Sequence, residues 1–205
     1  MRAGEGKQCL PLFLRFAFAE FEKLLQQSLT FASFCGQAQC SKTKKRNSMQ
    51  GRMLNHQMEA KDIKRLLERA KVGTLATVNS DGTPYITPIH FVCKDGAIYF
   101  HGLPAGQKIS NIKANQNVCF NVYEMDKLLL DPNENPCDTN TKYESVIIQG
   151  KANFVQDLDK KREILRAIVG KYTPHLLTGD FPPNMLKGTA VLQIAAQQIT
   201  GKYYC

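Results

Sequence analysis

The stretch Thr74-Leu75-Ala76-Thr77-Val78-Asn79-Ser80-Asp81-Gly82, returning as Tyr85-Ile86-Thr87-Pro88-Ile89-His90-Phe91-Val92, decides the fold. Two runs rich in β-branched residues flank a turn of Asn, Ser, Asp and Gly, the signature of an antiparallel hairpin. Lys94-Asp95-Gly96 is a second turn and Ala97 to His101 a third run, so successive hairpins predict a meander. Pro88 cannot donate to a ladder, which puts its strand at an edge, a bulge or an open face.

Upstream, Ile63, Leu66, Leu67 and Ala70 predict a helix between Glu59 and Lys71, ended by Gly73. Downstream, Ile109 and Ile112 give an apolar face to a short helix over Gln107–Asn115, and Val118 to Tyr123 is a strand. Met125 to Lys142, rich in Asp, Asn and Pro, predicts a long polar loop. Glu144 to Val155 is a long strand in which Gly150 marks a bulge or bend. Asp157 to Tyr172 is an amphipathic helix with Leu158, Leu165, Ile168 and Val169 inward; Thr173 to Lys187 is a loop and Thr189 to Ile199 a last strand. Five to seven strands with few helices imply a mainly β protein, an antiparallel barrel with helices at its rim.

The chain has 205 residues with a net charge of +9, unevenly placed. Residues 1–48 hold 8 Lys/Arg against 3 Asp/Glu, and the remaining residues 19 against 15. The excess concentrates around Lys42-Thr43-Lys44-Lys45-Arg46, a solvated basic linker rather than a nucleic-acid patch, because the body lacks interleaved basic and aromatic residues. Leu14, Phe18, Phe21 and Leu25 suit one helix face, but acids nearby argue against a targeting peptide. Met49, Met53 and Met58 offer later starts, so residues 1–48 read as upstream sequence translated from an early one. No apolar run reaches the roughly 18 residues of a membrane span, so no membrane partner is expected. Seven cysteines without a Cys-x-x-Cys make neither a zinc pattern nor a disulfide framework; Cys93 and Cys119 read as small core hydrophobes, in a cytoplasmic protein. The expected organisation is an N-terminal extension over residues 1–58, poorly ordered, and one barrel domain over 59–205.

Chemistry concentrates in Tyr99-Phe100-His101-Gly102-Leu103-Pro104-Ala105-Gly106-Gln107-Lys108. A strand runs through a loop with two glycines into a helix whose first turn carries a Lys. A helix start offers unpaired N–H groups and positive potential, a place for an anion rather than a cation. Lys108 is therefore out of place unless it pairs with a phosphate. On spacing alone the plainer reading, an exposed Lys after a glycine turn, has the edge, since this is no Rossmann or P-loop fingerprint. The edge strand Ile86 to Phe91 exposes backbone groups able to bond the polar rim of a flat heteroaromatic ring.

In order, Val72-Gly73-Thr74-Leu75-Ala76-Thr77, Ile86 to Phe91, Tyr99-Phe100-His101-Gly102…Gly106-Gln107-Lys108, Asn111-Ile112-Lys113-Ala114-Asn115…Val118-Cys119-Phe120, Tyr143-Glu144-Ser145-Val146-Ile147-Ile148-Gln149-Gly150 and Ile199-Thr200-Gly201-Lys202 form a set. This set resembles the FMN-binding split-barrel family of pyridoxamine-phosphate-oxidase-like proteins, in its nitroimidazole-resistance branch, over residues 59–204. The resemblance implies a homodimer of six-stranded split barrels with FMN at the interface. It implies that Thr87, Pro88, Ile89 and His90 line the isoalloxazine ring. By the same resemblance Phe100, His101, Gly102 and Lys108 hold the ribityl chain and phosphate, and Ser145 reaches the cofactor from the opposite wall. The implied activity is flavin-dependent reduction of small nitroimidazole or other nitroaromatic substrates. His101 is the candidate proton donor, since imidazole titrates near working pH; its alternative role is hydrogen bonding to the phosphate or ribityl chain. The chain has no Trp and lacks the C-terminal Arg/His motif of the vitamin-pathway oxidases. The competing expectation is a split barrel that sequesters flavin or haem without turnover. No metal site is expected.

Overall fold

A computed structural model describes residues 54–205. The readings placed on residues 1–48, including the basic linker and the early start, lie outside the described residues. At the near end of the body, Met58 is buried and its N–H donates to the Gly201 carbonyl at 3.0 Å.

The elements run α1 (Ala60–Arg69), β1 (Gly73–Val78), β2 (Pro84–Ile89), β3 (Val92–Lys94), β4 (Ala97–Gly102), α2 (Gln107–Ala114), β5 (Asn117–Leu129), β6 (Asn140–Phe154), α3 (Leu158–Tyr172), α4 (Pro183–Gly188) and β7 (Ala190–Tyr204). All seven strands join one antiparallel sheet in the order β2-β1-β5-β6-β7-β4-β3. Its two edges, β2 and β3, are consecutive in the chain and separated only by His90 and Phe91. The sheet thus curls back on itself, joined along the seam by covalent chain instead of a hydrogen-bonded ladder. This is a split barrel.

The expected six strands become seven because the run Tyr85–Val92 is not one strand. It leaves β1 after Ile89 and takes up β4 from Val92 onward, changing partner at the seam. The proline-bearing half, β2, is an edge, as its missing N–H requires.

Apolar spacing fixes the layers. Ile63, Leu66 and Leu67 of α1 are buried with Ile109 and Ile112 of α2 in a core built on Leu75, Phe91, Phe100, Phe120 and Ile148. β4 is buried on both faces: Ile98 and Phe100 enter that core, while Ala97 and Tyr99 pack under Ile164, Leu165 and Ile168 of α3. An uninterrupted apolar run is what such a strand requires. Asp157 caps α3 through a 2.7 Å bond from the Lys160 N–H. Leu158, expected inward, is 39% exposed, because it occupies the first turn at the solvent end, and Ile164 fills the inner stripe instead. The expected loop 173–187 contains a short 3-10 turn and α4, whose Leu186 is buried.

Gly150 sits at a bulge where β6 shifts register against β7. A Cβ there would lie 2.2 Å from the Ala195 carbonyl oxygen, so the close strand approach admits only glycine.

The loop expected over Met125–Lys142 is mostly a ribbon. β5 and β6 stay paired to Leu129 and Asn140, leaving residues 130–139 as the connection. Beyond Met125 and Tyr143 the two strands pair only with each other, both faces are wet, and no apolar alternation betrays them. α1 braces the ribbon's base: Arg69 Nε lies 2.7 Å from Glu124 Oε2, and Arg65 and Arg69 both pair with Glu144.

Candidate functional site

The seam gathers the basic residues. Val92 faces Tyr99 across β3 and β4, and the same register carried two residues further sets His90 against His101. The His101 imidazole is held below its ordinary value of 6.5, first by partial burial, then by the neighbouring His90 and Lys108. The Lys108 ammonium is held below 10.5 by burial. It lies against Gly102, where a Cβ would be 3.7 Å from Nζ, and 5.8 Å from the centre of the Phe100 ring. No carboxylate contributes to either shift. His101 and Lys108 therefore lie near one another at the end of β4, and the natural complement of the Lys108 ammonium there is an anion.

The connecting loop suits that role. Gly106, the residue before α2, has φ of 116°, a conformation that favours glycine, and it lets the chain turn sharply into the helix start beside Lys108.

His90 stacks on Tyr172 at 4.6 Å between ring centres. The Tyr172 hydroxyl accepts the Phe91 N–H at 2.9 Å and reaches the carbonyls of Phe91 and Lys71 at 2.9 and 2.8 Å. One side chain from α3 thus supplies the backbone partners that the seam removes. Next to it, Lys171 lies 3.9 Å from the Phe91 ring centre and donates to the Leu67 carbonyl at 3.1 Å; burial pushes its amine down to about 8.

The other expected site residues fall in two groups. Thr87 and Ile89 turn their side chains toward the barrel, whereas Pro88 and His90 face out. Phe100 is wholly buried, so only its backbone is available to a ligand. Ser145 stands apart on β6, between Tyr123 and Lys202. Following the register outward through Tyr123 and Val72 to His90 takes three strand spacings, about 14 Å. Along the sheet, Ser145 thus lies three strands from His90.

Between these ends two rows of the outer face carry no charged side chain, with Lys202 in the row beyond one and Lys151 in the row beyond the other. Pro88, Thr74, Asn121, Ile147 and Thr200 form one transverse row, and Ile86, Ala76, Cys119, Gln149 and Gln198 the next. Cys119 thus lies on this face, not in the core, while Cys93 packs against the core with its thiol pushed up to about 11 by burial. Cys93, Cys119, Cys137 and Cys205 are all free thiols. Among the described residues no helix is long and apolar enough to cross a membrane.

Sequence reasoning missed Tyr172, which it placed only as a helix end, and Asn111, which bonds across to the β1–β2 turn. A large polar residue inside an amphipathic helix's buried stripe was the available signal for Asn111.

Fold and seam together define a split-barrel protein of the antiparallel β class. A family model described as pyridoxamine 5'-phosphate oxidase matches residues 59–203, and the chain belongs to that family. Among solved structures, one described as a candidate 5-nitroimidazole antibiotic resistance protein from Bacteroides thetaiotaomicron is 26% identical. The match covers 70% of this chain and 83% of that one, with a TM-score of 0.61. A FAD and haem binding protein from Mycobacterium smegmatis shares the fold at 20% identity and a TM-score of 0.66, over 72% and 73% of the two chains. A flavocytochrome from Azotobacter vinelandii does so at 22% and 0.65, over 72% and 68%. No curated protein matches the chain.

Proposed function

We propose that this chain is an FMN-dependent oxidoreductase that works as a homodimer and reduces nitroimidazoles, other nitroaromatics or similar small acceptors. The observation that carries the reading is the placement of Lys108 at the start of α2, its Nζ against Gly102 and 5.8 Å from the Phe100 ring centre at the end of β4 that bears His101. These residues fit a flavin mononucleotide. Lys108, His101 and the loop Gly102–Gly106 hold the phosphate, and the backbone of Thr87, Pro88, Ile89 and His90 bonds the rim of the ring. Ser145, three strands away along the sheet, reaches the cofactor from a second copy.

Charge-assisted hydrogen bonds contribute roughly 1.5–3 kcal/mol each, and association costs on the order of 4–15 kcal/mol. Phosphate contacts alone barely offset that cost. The ring must also be buried, which a second copy laid over the two uncharged rows accomplishes. Bound flavin supplies electron transfer between a reduced donor and the acceptor. His101 serves as the proton donor, its alternative role being a hydrogen bond to the phosphate or ribityl chain.

The test is the visible spectrum of the purified protein, mass identification of the released cofactor, and NAD(P)H oxidation with a nitroimidazole acceptor. FMN release with turnover supports the reading, and Lys108→Ala should then lower FMN occupancy while leaving the chain folded. Flavin or haem without turnover marks a carrier. A colourless protein that takes up no added FMN removes both.

A further inference from the structure

Two polar side chains are buried among the described residues, Thr77 at 2% exposure and Asn111 at 3%, and they are bonded to each other. Asn111 lies in α2, one turn after Lys108. Its amide donates to Thr77 Oγ1 at 3.0 Å and to Asn79 Oδ1 at 2.8 Å. Its oxygen accepts from Gln107 Nε2 at 2.9 Å, and the same Gln107 nitrogen donates to Asn79 Oδ1 at 3.0 Å. Asn79 in turn donates to Thr83 Oγ1 at 3.0 Å, at the threshold of β2.

An amide buried at the foot of a short helix costs desolvation that a leucine there would not. What it returns is position. Ile109 and Ile112 set how deep α2 lies but leave it free to turn, because apolar contact is not directional. The Asn111 bonds are directional and end on Thr77 of β1 and Asn79 of the β1–β2 turn, so they fix the helix's rotation relative to that hairpin.

We infer that Asn111 is a positioning residue, which couples α2 to the β1–β2 turn and so holds the Lys108 ammonium in register with the edge strand for the phosphate of a bound flavin. This rests on the flavin reading above. α2 carries the phosphate end of the proposed cradle and β2 the ring end, and Asn111 ties the two.

Two experiments decide it. In the first, FMN and riboflavin affinities are measured for the wild type, Asn111→Leu, Lys108→Ala and the double variant. Asn111→Leu should weaken FMN about tenfold, in the range of one charged hydrogen bond. Riboflavin, which lacks the phosphate, should change less than about twofold, and Asn111→Leu should cost nothing further in the Lys108→Ala background. Equal losses for both flavins, or an undiminished loss without Lys108, overturn the inference. Gln107→Ala, an exposed change in the same network, should act in the same direction at about threefold, and its silence counts against the coupling.

The second is hydrogen exchange on the flavin-free protein. Asn111→Leu should accelerate the amides of Asn79–Thr83 and Gln107–Ala114 together, and acceleration of one segment alone overturns the coupling. A wild type that takes up neither flavin fails the functional reading and the Lys108 role with it, while the exchange result still decides whether Asn111 couples the two segments.

Discussion

His101 is a base whose proton the fold resists. Its value is lowered first by burial, then by His90 and Lys108, so the unfolded chain binds the proton more readily than the folded one. The sign follows: as pH falls below 6.5 the unfolded state gains protons first, and His101 increasingly opposes folding until it too is protonated. An anion against Lys108 reverses the balance. An NMR titration of the flavin-free protein should place the His101 midpoint below 6.5, and FMN or inorganic phosphate should raise it. Lys108→Ala should raise the flavin-free midpoint only partly, since burial and His90 remain. A midpoint indifferent to phosphate would detach His101 from the anion site. Lys108 stands out in sequence because it breaks a local rule, a cation at a helix start, although on spacing alone the plainer reading keeps the edge. The resemblance puts His90 at the flavin ring, whereas its electrostatic effect on His101 depends on a change of strand partner that no local pattern encodes.

Elements with one wet and one dry face were legible in the same way. α1, α2 and β1 each show their buried stripe in the spacing of Ile, Leu and Val, and Gly150 announced its bulge. The outer halves of β5 and β6 were not legible, because a two-stranded ribbon wet on both sides has no stripe to show. Nor was the seam. Proline marked β2 as an edge, but the residue that replaces the missing ladder comes from α3, some eighty positions away. Tyr172→Phe should remove the partner of the Phe91 N–H while keeping the stack on His90. The expected cost is about 1–3 kcal/mol, that of an unsatisfied backbone group. Urea unfolding should shift in midpoint with an unchanged slope, and exchange of the Phe91 amide should quicken more than that of neighbours in β4. Unchanged stability with unchanged Phe91 exchange would mean that the seam needs no pin.

At the scale of the whole molecule, the question is what covers the two uncharged rows on the outer face of β2, β1, β5, β6 and β7. From β2 to β7 that face spans about 19 Å, at roughly 4.8 Å per strand spacing. The ribbon extends it. Register slips by one residue at Asp126, so Leu128 faces the same way as Tyr123 and Met125 rather than opposite. All three are 52% exposed. Their shared direction is a product of the bulge, and it carries the apolar face beyond the edge of the barrel. In the proposed homodimer, Ile86→Glu puts a charge on the edge strand of this face, beside the proposed ring site, at a residue 63% exposed in the single chain. It should cost the folded monomer little, yet bury a carboxylate at the interface. Sedimentation should show a wild-type dimer, an Ile86→Glu monomer with unaltered circular dichroism, and a Leu128→Glu protein that dimerises only at higher concentration. FMN affinity should fall with assembly, since Ser145 is then withdrawn from the ring. A monomeric wild type that still holds FMN would place the whole cofactor site within one chain and leave the sheet face without a partner.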